Sequence, residues 1–104
     1  MKPETPDVVL NLLLPADLEE MVEDCLLAHP QRLLGFVTSE AAGHGIGSGL
    51  NTAREQVSGH DERRRLEVFC RQADAEALVQ ALTAALPQAQ IYYWLTPVLA
   101  RGWL

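Results

Sequence analysis

Positive charge is what this chain has least of. Its 104 residues hold 8 Lys and Arg against 14 Asp and Glu, a formal charge of −6. A function whose affinity rests on neutralising nucleic-acid phosphates is therefore excluded, because such proteins need a basic face. The only basic run is Arg63, Arg64 and Arg65. No apolar stretch approaches the ~20 residues that a membrane-spanning helix requires, so no direct membrane insertion is expected. The run 8–14 behind Lys2 does not read as a secretory signal: Glu4 and Asp7 stand where positive charge belongs, and Pro15 and Asp17 follow at once. A soluble, cytoplasmic chain is expected. Cysteine is scarce, and Cys25 and Cys70 lack a CxxC spacing, so two free, mostly buried thiols are expected in a reducing compartment. Catalytic signatures are missing as well. The chain has no G-x-S-x-G elbow and no H-E-x-x-H, and its 3 scattered histidines form no triad pattern, which argues against an enzyme.

What is present is ordinary globular material, 48% hydrophobic and 21% charged. The length suits a single domain spanning 1–104. Residues 7–14 (DVVLNLLL) read as a strand stopped by Pro15. Asp17 with Glu20 forms a capping-box pattern opening a helix, in which Leu18, Met21, Val22, Cys25 and Leu26 make an apolar stripe opposite Glu19, Glu20, Glu23 and Asp24. His29 and Pro30 end that helix. Cys25 and His29 share an i, i+4 spacing that suits two ligands, but Cys25 falls on the apolar stripe and reads as core. Residues 33–41 form a second strand. Residues 63–71 form a third that alternates well, with Leu66, Val68 and Cys70 on one face and Arg65, Glu67, Phe69 and Arg71 on the other. Asp74 caps a second helix with the stripe Ala75, Leu78, Val79, Leu82 and Leu86, ended by Pro87. A fourth strand covers 90–98.

Strand, helix, strand, strand, helix, strand is the ferredoxin-like βαββαβ order, an α+β fold with an antiparallel sheet and two helices on one face. The other sheet face has no helix to cover it. A wet face should alternate apolar and polar, yet Val8 with Val9, Phe36 with Val37, and Tyr93 with Trp94 break the alternation. Packing of identical subunits through these open faces is the economical expectation.

Between the second and third strands lies a long polar loop, residues 42–62, with Gly43, Gly45, Gly47 and Gly49 at alternate positions. Loops beyond about 12–15 residues inside a small domain tend to be functional. Backbone amides in such a run can cradle phosphate, but neither phosphate-loop spacing is present, so a recognition loop is the better reading. His44 and His60, beside Asp61 and Glu62, are the metal-ligand candidates, and imidazole suits divalent transition metals such as Zn, Cu, Ni and Co. Arg63 and Arg65 at its far end are candidates to receive an anionic effector or an acidic partner.

The run Gly35-Phe36-Val37-Thr38-Ser39-Glu40-Ala41-Ala42-Gly43-His44-Gly45 resembles the strand of PII signalling proteins that leads into their T-loop. Arg63-Arg64-Arg65-Leu66-Glu67-Val68-Phe69 resembles the pattern with which those proteins re-enter the sheet. The chain looks most similar to small PII-like proteins that accompany heavy-metal efflux systems. The resemblance implies a homotrimer with its open sheet faces inward, and a loop that senses a small effector and contacts a membrane transporter or regulator. Ile46-Gly47-Ser48 replaces the nucleotide-binding residues of PII proteins, residues 86–90 lack their Gly-Asp-Gly loop, and the modifiable loop tyrosine is missing, so ATP is not expected as the effector. A soluble divalent-metal-binding accessory protein using the loop histidines is the alternative.

Overall fold

The computed structural model describes residues 8–44 and 61–104. Apolar residues over Val8–Pro15 form β1. A 3₁₀ turn, Ala16–Leu18, leads directly into helix α1, Glu19–Leu27. A second short turn, Pro30–Arg32, precedes β2, Gly35–Gly43. The third strand, β3, runs Asp61–Cys70, helix α2 runs Gln72–Ala85, and β4 runs Tyr92–Pro97. The strands make one antiparallel sheet in the order β2-β3-β1-β4. This is the expected ferredoxin-like arrangement, with strand ends shifted by one or two residues.

Period-two alternation decides which residues the helices cover. Leu10, Leu12 and Leu14 of β1 lie beside Leu66 and Val68 of β3, and all five are 0–1% exposed. They pack with Val22 and Leu26 of α1 and Ala75, Leu78 and Leu82 of α2. Full burial of each such leucine or valine contributes about 1.5–3 kcal/mol, so this layer holds most of the favourable packing. Cys70 belongs to it and is buried, whereas Cys25 is only half-buried and Met21 stands 52% exposed. The apolar stripe of α1 is thus narrower than its sequence pattern. Partial burial pushes the Cys25 thiol above its usual value.

Both predicted helix caps are corrected. Leu18 precedes α1 with φ −97° and ψ −1°, already helical; the extended residue is Pro15, ahead of the 3₁₀ turn, and its side chain cannot cap, while Asp17 lies inside the turn and makes no cap bond. Helix α2 begins three residues earlier than a cap at Asp74 implies, behind an extended Arg71. Asp74 instead sits in the first turn, where its charge complements the helix N-terminus, and it pairs with Arg32 at 3.1 Å and Arg71 at 3.6 Å.

Among the described residues no helix is long and apolar enough to cross a membrane.

Candidate functional site

The neck of the loop is built by register. Strand β1 ends at Pro15, opposite Arg63, and a proline supplies no N–H to extend the ladder. Strands β2 and β3 go on past that point and pair Ala42 with Glu62 and Gly43 with Asp61. A cavity of about 520 Å³ opens beside this ribbon, lined by Ala16, Glu40, Ala42, Glu62, Arg63 and Arg64. Small-molecule sites span about 300–1,000 Å³, so the volume suits a small effector.

The three arginines at the far side of the neck part company, because adjacent strand residues face opposite ways. Arg63 is 8% exposed, and its Nη1 donates to the Gln90 carbonyl at 3.0 Å, tying the start of β4 to the neck. Arg64 turns to the helix side. Its Nε lies 3.0 Å from Glu19 Oε1 and its Nη1 lies 3.6 Å from Glu40 Oε1, so one guanidinium joins α1, β3 and β2. Partial desolvation, a hydrogen bond to Glu19 and repulsion from Glu19, Asp24 and Glu20 together raise the Glu23 carboxyl above its usual range.

Arg65 lies on the open face, away from the cavity. Its guanidinium carbon sits 5.7 Å from the centre of the Trp94 ring, and its Nη2 donates to Asn11 Oδ1 at 3.4 Å. Glu67 Oε2 is 3.9 Å from the same nitrogen. Asn11 is 1% exposed and donates from Nδ2 to Thr96 Oγ1 and to the Val9 carbonyl, each at 3.2 Å. Among the described residues, Arg65 Nε finds no acceptor although it is buried. Around this polar centre stand Leu13, Tyr92 and Val37, the last two 51% and 54% exposed. Asn11, Trp94 and Thr96 were not singled out by sequence reasoning. The available signal was a lone amide inside DVVLNLLL, since a buried amide must find partners.

Of the remaining sequence candidates, Gly43 is buried on the last rung and His44 follows it, exposed. Gly45, Gly47, Gly49 and His60 lie outside the described residues. Among the described residues no group of three or more His, Cys, Asp and Glu side chains could hold a metal ion.

Solved structures share this fold. A crystal structure of a DUF3240 family protein from Shewanella baltica superposes with a TM-score of 0.76 at 22% identity, covering 97% of this chain and 99% of that one. A protein from Thermus thermophilus described as PII-like signalling gives 0.63 at 17%, over 90% and 88% of the two chains. CPII, a nitrogen regulatory PII-like protein from Thiomonas intermedia solved with ADP, AMP and bicarbonate, gives 0.68 at 12%, over 93% and 96%. No curated protein matches the chain. Residues 4–104 match the family model described as "Protein of unknown function (DUF3240)", and the protein belongs to that family.

Proposed function

We infer that the chain is a non-enzymatic, PII-like regulatory protein, a homotrimer whose loop 42–62 responds to a small effector bound at its base and thereby engages a partner. The observation that carries this reading is the neck, where a cavity of about 520 Å³ adjoins the last rungs of the β2–β3 ribbon. An effector there would meet Arg64, whose two carboxylate partners it could displace, and Arg63. Either exchange alters contacts that hold the neck to α1 or β4. Order changes of a segment on ligand binding are an established switching device. The likeness to signalling and nitrogen regulatory PII-like proteins supports the regulatory class.

Assembly rests on the open face. Its apolar side chains lie uncovered by the protein's own helices, and closed symmetric packing would bury them. Size-exclusion chromatography with light scattering should give three times the 11.5 kDa chain mass. A monomer at micromolar concentration overturns the trimer. Calorimetric titration with ADP, AMP, bicarbonate, Zn²⁺, Cu²⁺ and Co²⁺ tests the effector. Binding that is lost in Arg64→Ala supports a site at the neck, and binding unchanged in that variant removes it.

A metal-binding reading, with a role beside heavy-metal or cation transport, has its own support. In sequence, His44 follows Gly43 and His60 precedes Asp61, the two residues that pair at the end of the described β2–β3 ladder. Imidazole suits divalent transition metals. Zn²⁺ or Cu²⁺ binding that survives the His44→Ala, His60→Ala double variant excludes these ligands.

A further inference from the structure

One part of the sheet is left unfinished on the helix side. Tyr93 of β4 lies on the same face as the buried Leu12, its ladder partner, yet it is 50% exposed. Between it and the end of α2 runs an apolar groove of about 130 Å³, walled by Val79, Leu82, Leu86, Ile91 and Tyr93. An apolar cavity of about 150 Å³ holds one benzene ring, so this groove takes one apolar side chain. Alongside it, β4 is an edge strand, paired among the described residues only with β1. Its outer backbone groups can accept another extended segment.

The chain itself carries a segment of the right chemistry. Residues 98–104 follow β4 without helix or strand, and Leu99, Trp103 and Leu104 are fully exposed. In this structure they do not line the groove of their own chain. The groove opens at the start of β4, by Ala89 and Ile91, whereas the segment departs from its far end at Pro97. The tightest hairpin, a two-residue turn after Pro97, sets Trp103 level with Trp94 on the open face and only Leu104 level with Tyr93, so Trp103 cannot enter the groove of its own chain that way. A second copy has no such restriction.

We propose that residues 98–104 of one copy lie along the free edge of β4 of a neighbouring copy and insert an apolar side chain into the groove between α2 and β4. The occupant is a second copy because groove and segment then occur in equal number and each covers apolar surface that the other leaves bare. The exchange is continuous with the open-face assembly, since β4 presents Tyr92 and Trp94 to that face and Tyr93 to the groove. It rests on the homo-oligomeric reading above and adds a second, separable contact to it.

The test compares the full chain, a chain ending at Val98, and Leu86→Lys in the groove wall, by light scattering over a concentration series. Acrylamide quenching of Trp103 is read in parallel as the difference between the full chain and Trp103→Phe. The expected results are a weakening of assembly of roughly tenfold or more in both the shortened chain and Leu86→Lys, and a Trp103 protected only at concentrations where the oligomer forms. If the shortened chain assembles like the full one and Trp103 is quenched like a free indole, the exchange is wrong while the open-face assembly stands. If the full chain is a monomer throughout, the assembly reading fails and the exchange with it. Protection of Trp103 that is independent of concentration places the segment on its own chain and also overturns the proposal.

Discussion

The two faces of the sheet share every strand and differ in how they are finished. On the helix side, Leu10, Leu12, Leu14, Leu66 and Val68 are sealed within the chain. On the other side, their neighbours along the strands are Val9, Asn11, Leu13, Arg65 and Glu67, covered among the described residues by one another and by side chains of β4 rather than by a helix. Asn11 is as buried as the core leucines, but what buries it is an arginine lying over an indole. A closed apolar layer makes the fold. The open face instead holds a polar centre, in which Arg65 Nε lacks an acceptor among the described residues, beside half-exposed Tyr92 and Val37, a composition suited to contact rather than to folding. A polar group in such a centre also favours one packing arrangement over its slipped alternatives, because a wrong arrangement leaves the group unpaired.

Adjacent residues of β1 let the two faces be broken one at a time. Leu12→Ala, on the sealed side, should cost about 2–5 kcal/mol of stability, as large-to-small changes in packed cores do. Denaturant unfolding at fixed protomer concentration reads it, and a loss well below that range would mean that the helix face is loosely packed. Asn11→Ala should cost less, about 1–3 kcal/mol, by leaving Arg65 and Thr96 without a buried partner. Its loss should depend on protein concentration if the open face is an interface, whereas the Leu12→Ala loss at saturating oligomer should not. The smallest effect lies on neither face. Glu23→Gln removes a carboxylate whose charged form α1 disfavours, so it should stabilise the protein at pH 7 by about 0.2–0.5 kcal/mol, the scale of like-charge pairs at i, i+4. The Glu23 carboxyl is raised above its ordinary 4.5 in the folded state, so the cost of its charge is present at higher pH and disappears as pH falls below 4.5. Melting temperatures of the two proteins should therefore converge on acidification. A gap that persists in acid would trace to something other than this charge.

Element order was legible because periodicity is local. Strand β3 shows it best: its alternation names Leu66, Val68 and Cys70 as the buried set, and they are. The shoulders of the loop were legible too, as strand segments whose ends fall within two residues of β2 and β3. The helix starts were misread because capping depends on backbone geometry, and the 3₁₀ turn at Ala16–Leu18 puts Asp17 itself in helical backbone, where a capping residue must be extended. The arginine run shows the deeper limit. Its three members look alike in sequence, but their environments come from residues that only folding brings near. Gln90 lies 27 positions from Arg63, and Asn11 lies 54 from Arg65. The Asn11 network draws on Thr96, 85 positions away. Nothing short-range encodes such a cluster.

Pro15 fixes the length of a lever. Because β1 stops opposite Arg63, the rungs at Ala42 with Glu62 and Gly43 with Asp61 project beyond the four-stranded sheet as a two-stranded ribbon. Such a ribbon is only marginally stable without neighbours, and paired strands twist more freely when alone. A ligand bound at its base would therefore work against a small restoring force, with the four-stranded sheet below as its anchor. The side-chain tie from Arg64 to Glu19 crosses that boundary, so a pull on the ribbon is also a pull on the first turn of α1.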